Sequence, residues 1–124
     1  MFKVYKRDLG DVEPTEYLAA AADAALSQGM AAKLSASGLA KAGATEKPTH
    51  IVMGPARSDG LVPAIRVLPT TVFETTSTAA IASAGSAVTL HTDGLQVTAT
   101  ATSGVFTVEQ TENAAGGRVL GRFI

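Results

Sequence analysis

The second half of the chain, from Leu61 to Ile124, reads as short threonine-rich strands separated by turns, and this pattern limits the fold more than any other feature. Val88 to Thr102 alternates apolar and polar residues on both sides of Asp93-Gly94, the pattern of a β-hairpin. Asp93 and Gly94 are expected to supply the two positive-φ positions of a type I′ turn. Threonine has high β propensity and leaves a polar outer face. No catalytic side chain is mounted on this framework, so the expected product of the fold is a surface, and an assembly role is expected before an enzymatic one.

Strand patterns continue on the N-terminal side. Phe2, Val4 and Lys6 alternate with Lys3, Tyr5 and Arg7, as in a short edge strand whose lysines discourage edge-to-edge pairing. Met30–Leu34 and Leu39–Ala42 flank Ser35-Ala-Ser-Gly38 as a second hairpin. Pro48 opens the strand Thr49–Met53, a breaker-rich loop runs from Gly54 to Gly60, and Leu61–Leu68 follows, with Pro63 suggesting an edge or a bulge. Val72–Thr76, a small-residue linker to Gly85, Val105–Glu109, a turn at Asn113–Gly117 and Arg118–Ile124 complete the series. Strands at this spacing predict an all-β fold, a small barrel or sandwich. Pro14 to Gly29 reads two ways: its alanines, Pro14 and Gly29 favour a helix, while few large apolar residues fall at helical spacing.

With 124 residues, one domain is expected. Four Phe, two Tyr and no Trp make a modest core, so association with copies of itself or with a larger partner is expected to add stability. Ten basic and eleven acidic residues give a net charge of −1, without the basic footprint that nucleic acid requires. The absence of cysteine excludes disulfides and thiolate metal sites. The charged N-terminus lacks the apolar segment of a signal peptide, and the run Leu18–Ala22 is far short of the roughly 20 residues of a membrane span. A soluble protein without an export signal is expected, with no membrane partner.

His50 and His91 are read as surface or interface residues, too few and too far apart for a zinc site. Glu13 and Glu16 read as solvated, Ser58-Asp59-Gly60 as a turn, and the scattered glycines as turn residues rather than a phosphate loop. Catalytic residues, metal ligands and cofactors are accordingly not expected. Arg57, Arg66, Arg118 and Arg122 are candidates either for outward-facing strand positions or for inter-subunit ion pairs. Phe73 and Phe123 are expected in the core, with Phe2 and Tyr5 free to dock a partner.

The order of several segments resembles the small head-decoration, or capsid cement, proteins of tailed bacteriophages. These are Tyr17-Leu-Ala-Ala, Gly29-Met-Ala-Ala-Lys-Leu, Gly38-Leu-Ala-Lys-Ala, Lys47-Pro-Thr-His-Ile-Val-Met53, Ile65-Arg-Val-Leu-Pro69, Val72-Phe-Glu-Thr75 and the closing Gly-Arg-Val-Leu-Gly-Arg-Phe. The resemblance runs from about residue 15 to the end and rests on pattern and order. It implies a β-tulip-like subunit without cofactor, made in the host cytoplasm and carried on the outside of an icosahedral head. There it would reinforce contacts between capsomers, with the major capsid protein and itself, as a homotrimer, for partners.

The resemblance also favours extended structure for residues 17–28. It divides the chain into an N-terminal arm, residues 1–29, and a β domain, residues 30–124. Phe2, Val4, Tyr5, Tyr17, Leu18, Arg57, Arg66 and Arg122 are then the expected capsid or inter-subunit contacts. Removal of residues 1–12 is expected to abolish head binding and leave the β domain folded. The competing reading is a small binding module, a fibre or adhesin tip recognising a glycan or protein, which would need exposed aromatic platforms.

Overall fold

The computed structural model describes all 124 residues. The chain is all-β: ten strands form two five-stranded antiparallel sheets, and neither closes into a barrel. The strands are β1 Lys3–Arg7, β2 Glu16–Ala19, β3 Ala31–Ser35, β4 Gly38–Lys41, β5 His50–Val52, β6 Leu61–Arg66, β7 Thr71–Thr76, β8 Ala87–Val88, β9 Phe106–Thr111 and β10 Arg118–Arg122. One sheet has the order β1-β7-β10-β9-β8 and the other β2-β6-β5-β3-β4. The alternation in the sequence therefore produces a sandwich.

The four phenylalanines form one cluster in the seam between the sheets. Phe123 stands at the centre, with ring centroids 5.3 Å from Phe2, 5.7 Å from Phe73 and 5.1 Å from Phe106. All four are buried, with Ile51, Ile65, Leu90, Val97 and Val119 around them. Phe73 and Phe123 are core residues as expected. Phe2 is a correction: it is only 2 % exposed, because its apolar ring fills the seam where the two chain ends meet, and it is not available to a partner.

The second sheet is buried on both faces at its centre. Ala31, Ile51 and Ile65, which are cross-strand neighbours, face the phenylalanine cluster. On the other face Ala32, Val52, Val62, Ala64 and Leu39 form a second cluster with Met30, Leu18 and Leu26. The sheet curls around this cluster until Ala20 meets Leu39 in a single parallel bridge between its two edges. Small side chains permit that curl, and this is the use the fold makes of its alanines. Gly38 marks the tightest point, with φ of +112° and a position where a Cβ would lie 2.8 Å from the Ala21 nitrogen.

Residues 1–29 are extended but lie within the domain. They supply an edge strand to each sheet, and the Phe2 and Gly29 nitrogens donate to the Gly29 and Val52 carbonyls at 2.8 and 2.7 Å. Helix is absent between Tyr17 and Gln28, where Asp23 adopts φ of 61°. Pro63 is in β6, which is flanked by β2 and β5 and is not an edge. Its carbonyl accepts from Met53, one residue past the end of β5, so the missing N–H falls beyond that ladder.

The hairpin around Asp93-Gly94 forms, but irregularly. Leu90 bridges Val97, the Thr89 and Thr98 hydroxyls bond at 2.7 Å, and His91 donates to Gln96. Only Gly94 is left-handed, at φ 70°, so the turn is not type I′. Its geometry is set by docking. The Gly94 carbonyl accepts from Ala31 at 2.8 Å, Lys41 Nζ donates to the Thr92 carbonyl at 2.6 Å, and Thr75 Oγ1 donates to the Leu95 carbonyl at 3.1 Å. The hairpin tip thereby straps one sheet to the other.

Candidate functional site

The arginines expected as intermolecular contacts are engaged within the chain. Arg122 on β10 reaches Asp8 at 2.5 and 3.0 Å, Glu109 through its Nε, and the Pro69 carbonyl at 3.1 Å. The hydrogen bonds that Arg122 donates to Asp8 and Glu109 raise its own pKa and lower that of Asp8. Arg57 forks Asp59 at 2.5 and 3.3 Å. Arg66 forks Glu16 at 3.1 and 3.2 Å. These three guanidinium groups therefore hold a loop or an edge strand of their own chain. For Arg66 the register explains this: Glu16 on β2 pairs with Ala64 on β6, which places its carboxylate beside the arginine two residues on.

Glu13 and Glu16 are not simply solvated. Burial, the largest single influence, would raise the Glu13 pKa, but the Arg7 side chain, 2.7 Å away, and a backbone hydrogen bond together outweigh it and leave the carboxyl below its usual range. Glu16 follows the same balance, with burial opposed by Arg66 and His50.

His50 departs furthest from its expected surface or interface position, because it is fully buried in β5, an inner strand of the second sheet. Ala32 and Arg66 are its cross-strand neighbours. Thr49 Oγ1, which accepts from the Leu34 N–H at 2.8 Å, lies 2.8 Å from His50 Nδ1. The other ring nitrogen, Nε2, faces Glu16 Oε2 at 3.2 Å. That approach is close enough for an ion pair yet lacks the alignment of a hydrogen bond. Thr49, His50 and Glu16 thus imitate a hydroxyl–imidazole–carboxylate series. The arrangement braces β2 and the β3–β4 hairpin, since the imidazole has no exposed surface for a substrate to reach. His91 is half-buried on the strapping hairpin.

The exposed features gather elsewhere. Tyr5 and Tyr17 are 49 and 47 % exposed, and Val4 and Leu18 are partly buried against the two core clusters. The Arg57 guanidinium lies 4.0 Å from the Tyr17 ring centroid and that of Arg118 lies 5.8 Å from Tyr5. Tyr17 and Arg57 are therefore brought together, whereas Arg66 is held by Glu16, which alternates to the other face of β2 from Tyr17. Phe2, Val4 and Tyr5 belong to the opposite sheet and do not share that cluster.

The sequence reading missed Leu9 and Val12, the most exposed large apolar residues of the chain at 73 and 74 %. They sit in the loop between β1 and β2, whose ends are fixed by the Asp8–Arg122 and Glu13–Arg7 pairs. The available signal was two aliphatic residues among acidic ones on either side of Gly10. A cleft of about 340 Å³ opens between β1 and the second sheet, with a mainly apolar lining that also includes Lys3 and Arg7. No group of three or more His, Cys, Asp or Glu is placed to hold a metal ion. Comparison with protein-family models, curated proteins and solved structures returns no match to this chain.

Proposed function

We propose that this chain is a non-enzymatic virion structural protein that binds the outside of an icosahedral phage head and reinforces contacts between capsomers, with the major capsid protein as partner. The order of sequence segments supplies the class. The observation that carries the contact role is where apolar side chains remain in water. Eight large apolar residues are exposed, and five of them, Met1, Tyr5, Leu9, Val12 and Tyr17, lie in the first 17 residues. Met1 leads into the edge strand β1, which holds Tyr5, Tyr17 is on the edge strand β2 of the other sheet, and Leu9 and Val12 are on the loop joining the two. Exposed apolar and aromatic groups on a rigid β scaffold suit protein contact.

A glycan-binding module is less well supported. It would stack sugars on open aromatic faces, whereas the chain has no Trp and Arg57 already lies over a face of Tyr17. Repetition over a lattice lets weak contacts hold firmly. The test is binding of the purified chain to heads stripped of it, comparing wild type, a Tyr5→Asp/Tyr17→Asp variant and a Ser83→Asp control on the exposed linker. The tyrosine variant is expected to lose binding by about tenfold or more while the control binds normally. Equal binding by all three, or saturable glycan binding by the wild type, would contradict the proposal.

A further inference from the structure

The loop between β1 and β2 is tied at its neck. Arg7, where the loop begins, forks the carboxylate of Glu13, where it ends, at 2.7 and 3.2 Å. Glu13 is nearly buried in that pair. Asp8 adds a second tie. Its carboxylate accepts from Arg122 at 2.5 and 3.0 Å, and its N–H donates to the Thr70 carbonyl at 2.9 Å. Gly10 turns the chain at φ 72°, and Pro14 fixes the backbone just past the neck.

What these ties leave free stands in water. Leu9 and Val12 are exposed on either side of Gly10 and Asp11. Asp8 and Glu13 have their counter-ions, whereas Asp11 pairs with no cation of the chain. The tip therefore offers two aliphatic side chains and one unneutralised carboxylate. A loop held in this way has little conformational freedom left to lose on binding.

Such a tip fits a protein socket with an apolar floor and a basic rim. A lipid surface suits it poorly, because an anionic one repels Asp11 and an apolar layer would strip water from an unpaired carboxylate. The chain itself offers no such socket. Its one cleft is apolar, but the two cations that line it, Lys3 and Arg7, are already taken by Glu74 and Glu13.

We propose that Leu9, Asp11 and Val12 form a rigid plug that seats in an apolar, basic-rimmed socket on the outside of the major capsid protein. The plug rests on the cement reading and narrows its head contact from the whole N-terminal third to the tip of one loop.

Binding of the full chain to stripped heads, at low and at high salt, tests it. Leu9→Ser/Val12→Ser is expected to keep its melting temperature, because both residues are exposed, and to bind about tenfold or more weakly. Asp11→Asn is expected to bind roughly threefold more weakly at low salt and to lose most of the salt dependence of the wild type. Asp23→Asn, which removes an exposed carboxylate elsewhere on the chain, is expected to bind normally. Wild-type binding by the tip and Asp11 variants would overturn the inference. So would retention of the wild type on phosphatidylcholine vesicles, or self-association in sedimentation velocity that the tip substitutions abolish. The two claims stay separable: heads bound by the tip variants but lost by Tyr5→Asp/Tyr17→Asp remove only the plug, and a wild type that ignores heads removes the proposed function.

Discussion

Phe2 shows how much one side chain can decide. As a partner-docking residue it could be truncated without loss of stability. As a member of the phenylalanine cluster, packed 5.3 Å from Phe123 and 5.8 Å from Phe106, it cannot. Phe2→Ala and Phe123→Ala are each expected to cost about 3–5 kcal/mol in urea denaturation, through lost burial and a residual cavity. A Phe2→Ala variant as stable as wild type would return this residue to the surface. Gly38 is equally constrained for a backbone reason. Gly38→Ala places a Cβ against the backbone of residues 19–21 at a φ that L-residues rarely adopt, and a loss of about 1–3 kcal/mol is expected. The same denaturation experiment measures it.

Edge strands are the elements most dependent on charge. β2 has a ladder on one side only, plus Glu16 reaching across to Arg66 and His50, and the loop before it depends on Glu13 and Arg7. Both carboxyls sit below their ordinary pKa of 4.5 in the folded chain. Between the folded and ordinary values the unfolded state binds more protons, so the stability they contribute is complete above 4.5 and is lost as pH falls through the lower folded values. The urea midpoint should therefore drop on the acid side of 4.5 and less steeply for Glu16→Gln. A midpoint that rises on acidification would contradict this assignment.

Most elements were legible in the sequence because alternation and turn residues are local signals. The Met30–Ala42 hairpin, β7, β10 and the Asn113–Gly117 turn lie where those signals put them. Pairings across the molecule were not legible. His50 reads locally as the polar start of a short strand, whereas the pairing of β5 between β3 and β6 leaves it fully buried beside Ala32 and Arg66. Arg122 met its partners through a contact with Asp8 that spans 114 positions, beyond any local pattern. The Asp93-Gly94 turn was identifiable, but its role as a strap depends on sheet packing. Leu9 and Val12 escaped notice because exposure is a property of the folded loop.

Viewed whole, the molecule closes its first strand against residues near its middle and its last. β1 pairs with β7, β7 with β10, and Phe2 packs on Phe123. Such distant pairings must form together, so folding in the millisecond-to-second range is expected by stopped-flow refolding. Submillisecond folding would argue against this topology. Deleting residues 1–12 removes β1 and Phe2, and the remainder should lose cooperative unfolding, contrary to the expectation of a detachable arm. The proposed cement role treats this interlocked block as a rigid spacer with contacts concentrated in its N-terminal third.

Quantitative mass spectrometry of purified phage particles from the source tests that role most directly. The account predicts a copy number comparable to that of the major capsid protein, or a simple fraction of it. A handful of copies per particle would place the chain at a tail or vertex, and absence from particles would contradict the virion role outright.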